Sequence, residues 1–334
     1  MSWTDPLRIV LDAMGTDSAP FPEVQGAVAA LRRFERDWEI LLVGDQGRIE
    51  AELSRHTDFP RDSISVVHAP DRIVSGEAPA AAVRKKPHSS IVVGVKLQKE
   101  GRADAFVSAG STGAVMASSL LLLRPLPGVD RPAIGTILPT SNLPTLLLDS
   151  GANVDCKPQH LLQFAHLGTV YAQDLLGLED PRVGLLNIGK EPEKGNELAV
   201  ESYKLLGASE LNFIGNIEGR EIIRGGCDVL VCDGFDGNLI LKFYESVAEF
   251  IIGLLRREME AHRVDELQLD EIFRFLDYEE YGGAPLLGVN GVSIIMHGSS
   301  SPKAISNALE VAARAVESSM ISDMAGELAK GIGN

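Results

Sequence analysis

Residues 107–118 read VSAGSTGAVMAS. A short apolar run, Ala105-Phe106-Val107, passes through Ser108-Ala109-Gly110 into a helical pattern starting near Thr112. A strand that hands over to a helix through glycine and hydroxyl residues is the repeating junction of a parallel α/β sheet. Two physical reasons compete for such glycines. Free backbone amides at a helix start bind anions, and absent side chains let two elements pack closely.

The same alternation extends on both sides. Runs 8–11, 39–43, 64–67 and 104–107 are predominantly apolar and read as strands, with helical patterns at 22–34, 46–55, 89–100 and 112–123 between and after them. Continuous apolar strands separated by amphipathic helices predict parallel strands covered on both faces. Runs 133–138 and 145–148, joined by Pro139-Thr-Ser-Asn-Leu-Pro144, predict a hairpin inside this pattern. Alternation resumes with helix 158–176, strand 183–188, helix 196–206, and strands 212–214 and 229–232. The expected fold is a doubly wound, mostly parallel α/β/α sandwich. It forms one domain over 1–334, with an insertion or second lobe at 127–160. A long helix over 237–262 carries an apolar stripe that includes Phe243, Phe250 and Leu254, suited to a dimer interface or a membrane surface.

Composition narrows the function. A net charge of −16 and a pI near 4.9 oppose general nucleic-acid binding, which draws on phosphate neutralisation. A mean hydropathy of +0.06 supports a sizeable core, and no apolar run reaches the length of a membrane span. The N-terminus lacks a secretory pattern, and three cysteines without CxxC spacing fit free thiols in a reducing cytoplasm. No cofactor fingerprint (GxGxxG after the first strand, or GxxxxGK[ST]) and no metal-ligand spacing is present.

Five polar, glycine-bearing junctions stand at strand ends: 12–20, 108–113, 187–196, 232–238 and 296–301. Converging on one sheet edge, they would offer amide donors to a phosphate or an oxyanion. Three cationic features accompany them. Lys194 precedes a helix, Arg84-Lys85-Lys86 forms a basic cluster, and Arg256-Arg257 flank the long helix. Each has an ordinary reading as solvated surface or helix-end charge. His297, at the end of an apolar run, is either a donor to an anion or a structural histidine.

DAMGTDSAP, AxxxRKKxxSS, VSAGSTGAVMA, RPA, LDSGAN, LLNIGKEPEKGNE, NFIGNIEGR, CDGFDGN, GGAPLLGV and HGSS occur in this order. Together, over about residues 8–318, they resemble the PlsX family of bacterial acyl-ACP:phosphate acyltransferases. The resemblance implies a sheet similar to those of isocitrate dehydrogenase and phosphotransacetylase. It implies transfer of a long-chain acyl group from acyl carrier protein to inorganic phosphate, early in phospholipid synthesis. No metal, no cofactor and no covalent acyl-enzyme are implied. A homodimer in peripheral contact with an anionic membrane is. Carried onto this chain, Lys194 is expected to bind phosphate and Asn238 to polarise the thioester carbonyl; His297, read from its own position, is expected to donate to the anion or to the thioester oxygen. Gly110, Ser111, Thr112 and Gly113 become the expected anion cradle, and Arg84, Lys85, Lys86, Arg256 and Arg257 the docking surface for the acidic carrier. The chain departs from the family pattern at Thr16, usually glycine, and at Ser111, usually asparagine. An acyl-CoA donor and a non-catalytic membrane scaffold for lipid enzymes are the competing readings.

Overall fold

The computed structural model describes residues 6–34, 36–262 and 281–331, with the side chains of 256 and 258–262 outside that description. Its strands are β1 (Leu7–Asp12), β2 (Trp38–Gly44), β3 (Ile64–His68), β4 (Ala105–Ser108), β5 (Ala133–Leu138), β6 (Thr145–Leu148), β7 (Val183–Asn187), β8 (Phe213–Glu218), β9 (Val229–Val231), β10 (Ala284–Leu287) and β11 (Val292–Ile295). The chain's internal contacts group into two compact units, one of residues 1–132 and 282–329, the other of 133–281 and 330–334.

In the first unit the strands run β3-β2-β1-β4-β11-β10. All neighbours pair in parallel except β10 with β11. Both faces are covered, so Ile9, Leu11, Ile40, Leu42 and Phe106 are almost wholly buried. Each such side chain stabilises the fold by roughly 1.5–3 kcal/mol. Helices Phe21–Arg33 and Pro302–Glu317 lie against one another, with Gly26 giving room to the Ile305 side chain.

In the second unit the order is β5-β6-β9-β7-β8. The expected hairpin is present as the antiparallel pair β5–β6, and the remaining neighbours are parallel. Leu146, Leu147, Leu148 and Phe164 form its core. The helix Pro158–Leu176 approaches the sheet closely because Gly168 presents no side chain to Val229 and Leu148. The mostly parallel, helix-covered sheet predicted from the alternating runs is therefore observed.

Some elements differ from the sequence reading. β8 runs to Glu218, well past 214, because Gly215 (φ +98°) and a register shift interrupt the apolar pattern while the pairing continues. The helix Pro79–Lys85 and the strand β10, which contains Pro285, gave no clear periodic signal. The long helix begins at Gly234 and runs to His262. Among the described residues, no helix is long and apolar enough to cross a membrane.

Candidate functional site

Three of the five junctions meet in the first unit. Buried Asp12, at the end of β1, accepts from the Ser108 hydroxyl at 2.7 Å and from the Met14 amide at 3.0 Å. The Ser108 hydroxyl in turn accepts from the Gly110 amide at 3.0 Å. Burial pushes the Asp12 carboxyl upward, opposed by hydrogen bonds from Ser90, Ser108 and Met14 and by the Arg72 charge. The Gly15 backbone abuts the same turn: a Cβ there would lie 2.8 Å from the nitrogens of Ala109 and Gly110. The fifth junction joins through the Met296 amide on the Ser108 carbonyl and the Asp17 amide on the Gly298 carbonyl, both at 2.9 Å.

The helix Thr112–Leu122 starts at this turn. Its N-cap, Ser111, makes no side-chain capping bond. The amides of Ala114 and Val115 donate back to the Ser111 carbonyl, whereas those of Thr112 and Gly113 have no acceptor among the described residues. Gly113 also has a packing reason, since a Cβ there would lie 2.6 Å from Pro79. Close packing thus accounts for Gly113, and the amides of Thr112 and Gly113 are open at the helix start. Thr16 is not among the non-glycine residues with positive φ, so the turn at the departure from the family pattern demands no glycine backbone.

His297 is exposed, and its Nδ1 accepts the Ser299 amide at 3.2 Å and lies 2.6 Å from the Ser299 hydroxyl. With Nδ1 accepting this amide, the neutral ring carries its proton on Nε2.

The other two junctions meet in the second unit. In the loop 188–196, Asn187 holds the Lys194 carbonyl at 2.9 Å and Asn216 holds that of Glu191 at 2.9 Å. Gly195 takes φ +99°, a conformation in which a side chain would run into Asn187. Lys190 is paired with Glu221 at 2.6 Å, which draws the Glu221 carboxyl below its ordinary range. The exposed Lys194 ammonium has no carboxylate partner among the described residues. Asn196 caps the helix Glu197–Ala208 through the Ala199 amide at 2.8 Å.

The fourth junction sits over a buried carboxylate. Asp149 accepts from the amides of Ile134, Gly151, Ala152 and Asn153 and from the Asn153 side chain, at 2.7–3.2 Å. Burial pushes its carboxyl up, while these donors pull the other way. It organises the turn against which the helix Gly234–His262 begins. Asn238, in the first turn of that helix, is exposed, lies against Gly151 and makes no side-chain hydrogen bond among the described residues. Cys232 and Cys227 are buried; burial raises both thiols, that of Cys227 to about 12, so neither is an available thiolate.

The basic cluster divides. Arg84 and Lys85 are exposed in the last turn of the helix Pro79–Lys85. Lys86 instead donates to the Arg72 carbonyl at 2.9 Å and the Glu77 carboxylate at 2.7 Å. Arg72 itself donates to the carbonyls of Gly15 and Thr16, at 3.0 and 2.8 Å. Sequence reasoning missed this strut from Lys86 to the first junction, because no local pattern marks which carbonyl a cation will hold. Arg257 is exposed, and the Arg256 side chain lies outside the described residues.

Sheet order and helix placement define the class of fold: a mostly parallel, helix-covered α/β sheet shared with solved phosphotransacylases. The phosphotransacetylase of Streptococcus pyogenes superposes on 93% of the chain and 94% of its own, with a TM-score of 0.63 at 18% identity. A branched-chain phosphotransacylase from Enterococcus faecalis gives 0.58 at 15% identity, over 93% and 99%. At such identities the likeness is one of fold. A family model described as "Fatty acid synthesis protein" matches residues 7–323. The phosphate acyltransferase of Desulforamulus reducens is 52% identical over 94% of this chain and 95% of its own, and that of Heliobacterium modesticaldum 51% over 94% and 96%. The chain belongs to the phosphate acyltransferase family, enzymes of the acyltransferase class in lipid biosynthesis.

Proposed function

We propose that the protein transfers the acyl group of long-chain acyl carrier protein to inorganic phosphate, giving acyl phosphate and free carrier, at an early step of phospholipid synthesis. The carrying observation is that two polar groups in the second unit, the Lys194 ammonium and the Asn238 amide, have no side-chain partner among the described residues. Lys194 stands on the loop 188–196 and Asn238 near the start of the helix Gly234–His262, and the residues after them, Gly195 and Leu239, line one cleft. A phosphate oxygen attacks the thioester carbonyl carbon, and the carbonyl oxygen becomes an oxyanion. The C–S bond then breaks, and the thiolate leaves and takes a proton from water. Phosphate is already an anionic nucleophile, so the protein's task is positioning and oxyanion stabilisation. A preorganised donor contributes about 100- to 1000-fold. Lys194 holds phosphate as a point charge and Asn238 donates to the oxyanion. In the first unit, the amides at Gly110, Ser111, Thr112 and Gly113 serve as an anion cradle, and His297 Nε2 as an additional donor.

The carrier docks on exposed arginine and lysine, with Arg84, Lys85 and Arg257 as its contacts. The helix Gly234–His262 exposes Phe235, Leu239, Phe243 and Phe250. An apolar ridge of this kind suits a second copy of the chain and peripheral contact with an anionic membrane on its cytoplasmic side. Release of carrier thiol from palmitoyl-ACP, measured with and without phosphate while hydroxylamine traps the acyl phosphate, tests the reaction. Phosphate-dependent release supports it. Release from palmitoyl-CoA alone would transfer the reading to a CoA donor, and no turnover by the folded protein would favour the scaffold.

A further inference from the structure

The cleft beside Lys194 and Asn238 has a volume of about 450 Å³, more than phosphate and the thioester carbonyl need. Leu161, Leu185, Leu198, Leu239 and Ile240 make much of its wall, drawn from the helices Pro158–Leu176, Glu197–Ala208 and Gly234–His262 and from β7. Its volume falls in the range of small-molecule sites. Among the described residues no lysine, arginine or histidine lines it, while two carboxylates, Asp233 and Asp236, do. An anion entering this cleft would meet like charge and no counter-charge, so phosphate and the phosphate-bearing arm of a carrier are poor occupants. An uncharged hydrocarbon chain meets a mainly apolar wall. The lining also adjoins both proposed donors in sequence. Gly195 follows Lys194 in sequence, Leu239 follows Asn238, and both line the cleft.

We infer that this cleft holds the hydrocarbon chain of the acyl donor, with the thioester beside Lys194 and Asn238. The assignment rests on the acyl-transfer reading above and adds a determinant of chain length to it. Apolar burial scales with chain length, so each methylene that the cleft accepts raises kcat/KM by roughly fourfold until the cleft is full. Cys232, buried in the wall with its thiol on the Asp149 carbonyl, contributes surface and no nucleophile.

Leu198→Trp, at a half-buried position of the wall, narrows the cleft without touching Lys194 or Asn238. Leu205→Trp, exposed on the same helix and outside the cleft, is the control. Both are assayed with octanoyl, lauroyl and palmitoyl donors on the carrier, and Ile188→Trp, at an exposed position of the same lining, replaces Leu198→Trp if the latter melts at assay temperature. The expected result is a loss for palmitoyl of roughly fourfold per displaced methylene. Octanoyl turnover stays within about twofold, and Leu205→Trp leaves the profile unchanged. An equal loss at every chain length, or an unchanged profile in a folded cleft variant, would overturn the assignment while leaving acyl transfer in place. No turnover by wild type on any donor would overturn the transfer reading and the cleft assignment together.

Discussion

Gly237 packs face to face with Asp149: the first carbon of any side chain at Gly237 would overlap the Asp149 carbonyl oxygen. The Asp149 carboxylate gathers the amides of its own turn, and its carbonyl receives the start of the long helix. That contact sets where Asn238, one residue further on, is presented.

Gly237→Ala is therefore expected to destabilise the fold by about 1–3 kcal/mol, as overpacking against backbone does. It also displaces Asn238 and lowers kcat. Gly207, in the helix Glu197–Ala208, is the contrast: a Cβ at that position would meet nothing within 4 Å. Gly207→Ala is expected to stabilise by about 0.5–1 kcal/mol. Urea melts of the two variants check both signs.

Glu23 is fully buried, and its carboxylate accepts the Thr16 amide at 2.7 Å. Burial raises its pKa to about 7, from 4.5. The folded protein then holds this proton more tightly than the unfolded chain, so the proton's contribution is full below about pH 4.5. It fades as pH rises through about 7. The loss is on the order of 3 kcal/mol. Glu23→Gln keeps the acceptor for the Thr16 amide and removes the titration. Its stability is expected to stay flat between about pH 5 and 8 where wild type declines, as followed by melts across that window.

Much of this architecture is legible in the chain. β1, β2 and β4 are built on the apolar runs Ile9–Leu11, Ile40–Val43 and Ala105–Val107, and Pro158–Leu176 carries a helical period, so local pattern and tertiary burial agree. Glu23 shows the limit. In sequence it is an ordinary acid in a helix's first turn, where carboxylates favour the dipole. Its burial arises because the turn at Thr16 folds back over it. Lys86 is similar: one of three adjacent cations by sequence, it alone is drawn inward onto the Arg72 carbonyl and Glu77. The junctions were legible one by one. Their grouping, 12–20 with 108–113 and 296–301, and 187–196 with 232–238, depends on strand order, which no local pattern carries.

The split of the basic cluster gives separable phenotypes. Arg84→Ala and Lys85→Ala are expected to raise the KM for the carrier substrate about two- to fivefold at low salt, as exposed ion pairs do. The effect should shrink as salt screens it. Lys86→Ala is expected to lower the melting temperature instead, by releasing Glu77 and the Arg72 segment. Steady-state kinetics at two salt concentrations, beside thermal melts, separate the two behaviours.

The most direct measurement is phosphate-dependent release of carrier thiol from palmitoyl-ACP by Lys194→Ala beside wild type, with the melting temperature of each recorded. Lys194 makes no ion pair among the described residues, so its truncation should leave stability unchanged. A fall in kcat/KM of at least ~100-fold is expected, the scale of losing one preorganised donor. Wild-type activity in a folded Lys194→Ala protein would contradict the role given to this lysine.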